Sequence, residues 1–366
     1  MSHESHAAGF SAHTVRLAWI LSIAYLLIVI YASVQPFHGW RMPPPEVAAF
    51  LAAPWPRYIT SEDIVVNVAA YAPLGFLLSV GWGARYGAGR GVLAATFCAA
   101  ALSLALETVQ VFLPSRIASN VDLLTNSIGA LMGAMAAPLF APTHILGGKL
   151  HAVRHRLFHH GMAADIGLAI VCLWPLTQFH PTSQVFGAGA VRTSFQLPAY
   201  STYSPALALT GEATVTFFNV LGVGLMVSVL LRSDERRMLL IALVVGAALV
   251  VKALSTAALH KAGAPLAWFT PGVTIGLLAG WTVLYAATRL PRAVQFALAA
   301  ACIMIATVAI NLAPDNPYQS LAPRLIAGGQ SHFLNFSGIA RALSDLWPFL
   351  AVTFLLYGLA ARPTWR

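Results

Sequence analysis

Ten apolar stretches leave this chain little choice of fold. They lie near residues 16–34, 63–82, 91–113, 121–140, 163–179, 212–231, 238–259, 266–288, 293–312 and 345–361. A helix needs about 20 mostly apolar residues to cross a bilayer. Backbone groups in hydrocarbon must find partners within the chain, so only helices or a closed barrel can span. These stretches show no alternation of period two, which selects helices. Composition excludes a soluble fold: 58% of residues are hydrophobic and 9% charged, with mean hydropathy +0.74, where a soluble domain carries roughly a quarter charged residues. The expected fold is an all-α, polytopic transmembrane bundle of ten spans.

Orientation follows from the cationic flanks. With the N-terminus inside, the inner flanks hold 13 of the 21 Lys and Arg. The outer side holds the other 8: Arg41, Arg57, Arg116, Arg192, Lys252, Lys261, Arg324 and Arg341. The expected location is the plasma (inner) membrane, multi-pass, with both termini cytoplasmic. The net charge of +9 is accounted for by anionic headgroups, so the expected partner is the lipid bilayer and no nucleic acid. The first stretch is too long for a signal-peptide core and lacks a clear cleavage site, so it counts as a span. Cys98, Cys172 and Cys302 fall inside spans and read as small buried apolar residues, not as disulfides or metal ligands.

The expected organisation contains a degenerate repeat, with chance similarity between apolar helices as the alternative. Spans one to four lie over spans five to eight: Gln35-Pro-Phe37-His38 over Gln178-Phe179-His180, Asn67 with Pro73 and Gly75 over Asn219 with Gly222 and Gly224, Glu107 over Ser255, and Gly129 with Gly133 over Gly276 with Gly280. A four-span unit returns the chain to its starting side, so the copies are parallel. This divides the chain into 15–140, 163–288 and a C-terminal helix pair within 292–366 whose outer loop, 313–344, carries His332 and Asn335. The second copy has lost the chemistry of the first, with Ser255 at the place of Glu107 and Val273 at that of Asn126.

Ionisable groups at membrane depth cost a few kcal/mol or more and tend to have a partner or a task. Asp63 and Asn67 are four apart at the start of span two, hence on one face. Ser103, Glu107 and Gln110 share a face at the end of span three. Pro114 ends that helix and Arg116 follows in a short hairpin. Ser119 or Asn120 caps span four, whose first turns carry Asp122 and Asn126. In the expected topology all of these meet at the outer leaflet.

Asp63-x3-Asn67-x5-Pro73-x-Gly75, Glu107-x2-Gln110-x-Phe112-x-Pro114-x-Arg116 and Asp122-Leu-x2-Asn126-x2-Gly129-x3-Gly133 together resemble the VanZ-like membrane proteins, over residues 15–140. The resemblance implies a multi-span protein of the bacterial cell envelope. The family is named from glycopeptide-antibiotic resistance, and no one reaction is attached to it as a whole. Its polar positions fall on Asp63, Asn67, Glu107, Gln110, Arg116, Asp122 and Asn126.

Plain structural roles compete with functional ones at each position. Glu107 and Arg116 would form an ion pair that locks the hairpin. Asp122 suits a helix N-terminus. Asn67 and Asn126 would join helices by amide hydrogen bonds, and Gly129 and Gly133 would let helices approach closely. Pro73 with Gly75, and Gly222 with Gly224, read either as helix interruptions near a transport site or as simple kinks. His151, His155 and His159 form a stripe four apart beside Lys149, Arg154 and Arg156. Without a carboxylate or thiol among them they read as a basic helix at the headgroups and not a metal site; His3, His6 and His13 read as a tail. The sequence holds no HExxH, GxSxG or phosphate-binding loop, and it identifies neither cofactor nor oligomeric state. Three functions remain: binding or moving a polar, lipid-linked glycan or glycopeptide-like ligand; a membrane hydrolase or transferase using Glu107 and Asp122 as acid and base; or an assembly factor in which the cluster only fixes packing.

Overall fold

A computed structural model of the chain describes residues 10, 12–34, 39–43, 45–55, 61–179, 184–195, 197–234, 236–259, 265–314 and 333–361. His3, His6, Gln35, Phe37, His38, Arg57, His180, Lys261, Arg324 and His332 lie outside these residues, as do the side chains of His13, Asp63 and Asn335. The described residues are helical and contain no strand; Phe158 and Leu231 form one isolated bridge.

The helices are α1 (Ala12–Val34), α2 (Ala49–Ala52), α3 (Ser61–Tyr86), α4 (Ala88–Gln110), α5 (Asn120–Ala136), α6 (Ile145–Leu157), α7 (Met162–Leu173), α8 (Val191–Ser194), α9 (Pro205–Leu230), α10 (Arg237–Leu259), α11 (Pro271–Ala287), α12 (Arg292–Leu312) and α13 (Phe333–Ala360). Short 3₁₀ turns, Ala137–Phe140 and Pro175–Phe179, extend α5 and α7. Among the described residues nine helices are long and apolar enough to cross a membrane. The eighth expected span, 266–288, yields only the 17 residues of α11. Its apolar start is taken by a turn, and Thr270 then caps the helix by accepting from Val273 N ahead of Pro271. At 1.5 Å per residue α11 reaches about 25 Å.

The chain divides into two compact units. One comprises residues 1–154 with 329–339, the other 155–328 with 340–366. In the first, α3 packs on α1, α4 and α5. Gly87 adopts φ +86° between α3 and α4 and makes that hairpin tight. The α3–α5 contact is a stripe of small residues. A β-carbon on Gly75, Gly129 or Gly133 would run into the backbone carbonyl of Ala130, Val68 or Ala72. Only glycine permits such an approach, the expected use of the small-xxx-small pattern.

In the second unit α9 is central. Some 78% of its spanning window is buried, against 28% for α10. Gly276 of α11 lies on Ala213 and Thr216, and Gly280 on Val220; Gly222 of α9 meets Ile303 of α12. Trp347 of α13 donates to Ile170 O of α7 at 2.7 Å. The sequence left α12 and α13 outside the proposed repeat, and the core of this unit includes both.

The interruption reading of the glycine and proline pairs is overturned. α3 runs through Pro73 and α9 through Gly222 and Gly224 without a break. Pro73 cannot donate to the carbonyl four residues back, and in the neighbouring turn the Tyr25 hydroxyl donates to Ala70 O at 2.8 Å. Gly224 faces Leu284, so these glycines serve packing. Two cysteine expectations are corrected as well. Cys98 and Cys172 are exposed and only Cys302 is buried, because the helix faces that turn outward in such a bundle are met by lipid. The histidine stripe breaks at its end: α6 stops at Leu157, and His159 is buried in the connection that follows, its amide donating to Leu230 O. Lys252, counted from sequence among the outer flanks, is instead buried within α10.

Candidate functional site

α1 and α4 end, and α3 and α5 begin, at the same end of the first unit. The hairpin between α4 and α5 is ordered by its own backbone: Leu113 N donates to Gln110 O and Arg116 N to Leu113 O, with Leu113 fully buried. The N-terminus of α5 is capped by Ser119, whose hydroxyl accepts from Val121 N and Asp122 N. Of the two residues proposed as cap, Ser119 holds the place, while Asn120 donates to Ala53 O.

Each polar side chain of the cluster has an identifiable position. Glu107 accepts from Ser119 N at 2.8 Å and so fixes the start of α5 to the end of α4. Gln110 donates to Ser33 O at 3.1 Å and Arg116 to Ala32 O at 3.0 Å. These carbonyls lie in the last turn of α1, where the helix has no donors of its own for them and a cation is favoured. Arg116 is buried, which lowers the pKa of its guanidinium, and the charge of Glu107 raises it back in part. Asn67 of α3 donates to Asp122 Oδ1 at 3.0 Å and to Thr125 Oγ1 at 3.3 Å. Asn126 donates to Ser103 Oγ at 2.9 Å.

Six of the seven residues expected at the site are buried here: Asn67, Glu107, Gln110, Arg116, Asp122 and Asn126. Asp63 lies one turn before Asn67 on α3. Five of the six line one cleft between α1, α3, α4 and α5, with Val29, Ala32, Ser33, Val66, Ala70, Tyr71 and Leu106 as its other walls. Arg116 is not among the lining residues and stands beside it. The cleft, its open mouth included, holds about 410 Å³ of empty space. Its lining presents two carboxyl groups, three side-chain amides, the Ser33 hydroxyl and the Tyr71 phenol. Such a surface can hold and orient a polar group by hydrogen bonds.

The sequence-based site omitted Tyr71, Thr125 and Ser33. Two of these were within reach of helix periodicity, since Tyr71 is four residues after Asn67 and Thr125 three after Asp122. Ser33 had no such signal, because its contribution is a backbone carbonyl as well as a wall of the cleft.

These features define a multi-pass helical membrane protein with a polar cleft built among its first helices. Residues 17–141 match the VanZ/LLP1 family model, so the family likeness covers the segment that carries every residue of the cluster. No curated protein and no solved structure matches the chain.

Proposed function

We propose that this protein binds a polar, envelope-derived ligand, of the class of a lipid-linked glycan headgroup, in the cleft of its VanZ-like segment. The observation that carries this reading is the convergence of Asn67, Glu107, Gln110, Asp122 and Asn126, from three helices, on the walls of one cleft. A bundle that needed these groups only for packing could have closed over them. Here part of the polar surface remains turned to an opening.

The orientation belongs to the same proposal. The cationic flanks favour cytoplasmic termini, and the burial of Lys252 inside α10 removes one residue from the opposing count. The hairpin at Arg116 and the mouth of the cleft then face the outer leaflet of the plasma membrane of a bacterium. A reporter fused at the hairpin will be active only where the periplasmic or external side is required; cytosolic activity would overturn the placement.

The binding reading is tested by mild purification and mass spectrometry of extracted lipids. A glycan-bearing or otherwise polar lipid is expected to copurify with the wild type and to be lost from an Asn67→Ala variant of equal folded yield. Wild type that carries only bulk phospholipid, with the same profile as the variant, would overturn it.

A further inference from the structure

The hydrogen-bonding inventory of the cleft is unbalanced, and the imbalance names a chemistry for its ligand. Each amide nitrogen that lines it makes at least one hydrogen bond inside the protein. Asn67 Nδ2 is held by Asp122 and Thr125, Gln110 Nε2 by Ser33 O, and Asn126 Nδ2 by Ser103 Oγ. On the acceptor side, Asn126 Oδ1 is buried in the cleft wall and has no hydrogen-bond partner among the described residues. The residue is only 6% exposed. An unmet acceptor at that depth carries the cost of its lost hydration, which a bound donor would remove. The Ser103 hydroxyl accepts from the nitrogen of the same amide.

Charge points the same way. The lining contains the carboxyl groups of Glu107 and Asp122 and no cationic side chain. The guanidinium of Arg116 stands outside the lining and donates to Ala32 O. Each carboxylate offers about four acceptor sites and no donor. The enclosed part of the cleft is narrow, with room for a group of about the size of one water molecule. A compact donor with positive charge fits all three conditions, whereas a phosphate or carboxylate would meet like charge.

We infer that the cleft takes an ammonium group of its ligand, with the nitrogen donating to Asn126 Oδ1 beside the Asp122 and Glu107 carboxylates. This rests on the binding reading above and specifies it. Two sources share the chemistry, an aminated lipid headgroup and a soluble amine such as an amino sugar, and the test separates them.

The full chain, in lipid nanodiscs of phosphatidylglycerol, would be titrated with four probes: phosphatidylethanolamine, its N-acetylated form, glucosamine and N-acetylglucosamine. Binding is read by calorimetry for the sugars and by thermal shift for the lipids. One amine probe is expected to bind at least tenfold more tightly than its N-acetylated partner. The lipid pair showing this assigns an aminated headgroup; the sugar pair assigns a soluble amine. Asp122→Asn should abolish the discrimination. Where that variant fails to fold, Asn126→Leu, which removes the acceptor and keeps an apolar wall, carries the same expectation. Equal binding of amine and acetylated forms overturns the inference, as does discrimination that survives in both variants. No binding by either amine overturns it as well and leaves water as the occupant. The parent reading fails separately, since a copurified polar lipid without an amine would preserve cleft binding while removing the ammonium.

Discussion

Asn67 and Asp122, 55 residues apart in sequence, meet side chain to side chain at 3.0 Å and tie the first turns of α3 to those of α5. The bond is buried, so its loss removes an interaction that holds the two helices together. Asn67→Ala is expected to cost about 1–2 kcal/mol, the order found for buried hydrogen bonds in proteins and membrane bundles. Asp122→Ala should cost a similar amount, and the double variant less than the sum of the two. Thermal melting in detergent checks this; strict additivity would show that the contact carries no coupling.

The α3–α5 interface depends on glycine at Gly133, where a β-carbon would meet the Ala72 carbonyl. That carbonyl belongs to a helix backbone and cannot rotate aside. Gly133→Ala should therefore destabilise by about 1–3 kcal/mol, as overpacking does. Gly89→Ala in α4 is the control. Nothing lies within 4 Å of a β-carbon there, and alanine is the better helix former, so it should be neutral or slightly stabilising. The two melting temperatures moving together would refute the packing argument.

Glu107 and Arg116 act as one unit at the hairpin. Glu107 holds the Ser119 amide, Arg116 holds the end of α1, and the charge of the one is felt by the other. A cycle of Glu107→Gln, Arg116→Met and the double variant should give a coupling energy of about 1–3 kcal/mol. A value near zero would mean that each residue serves only its own backbone partner.

His159, in the second unit, makes stability depend on pH. Burial foremost, then the charge of Arg292, lower its pKa from 6.5 to about 4, with Arg232 and His160 adding in the same direction. The folded protein thus holds this ring neutral at pH values where the unfolded chain binds a proton. Its contribution is fully present above pH 6.5 and is lost as pH falls towards 4. Melting temperature in detergent should drop across that window, and His159→Leu should flatten the drop. An unchanged slope in the variant would assign the effect to another group.

The membrane-spanning helices were legible because hydrocarbon imposes one rule on every residue of a span. Apolar length therefore maps almost directly onto helix existence. α11 was read too long because Leu266 to Phe269 satisfy the same rule from within a turn. The cluster was legible for a related reason. Polar groups are rare enough in such a chain that spacing of three and four residues placed Ser103, Glu107 and Gln110 on one face, and Asp122 with Asn126 on another. Lys252 was misread because a basic residue near a span end looks like a flank until packing shows it enclosed. Cys98 and Cys172 were misread because a residue in lipid and a residue in a protein core have the same sequence signature.

Sequence alone therefore determined that the chain is a bundle of apolar helices and that a handful of polar residues is gathered in its first third. Both follow from the cost of polar groups in hydrocarbon, which is a property of each residue by itself. Only the tertiary structure decided which face of each helix meets another helix, that Gln110 and Arg116 serve the last carbonyls of α1, and that Asn126 Oδ1 has no donor among the described residues. Those outcomes depend on distances between segments far apart in the chain, set by how closely glycine lets the helices approach.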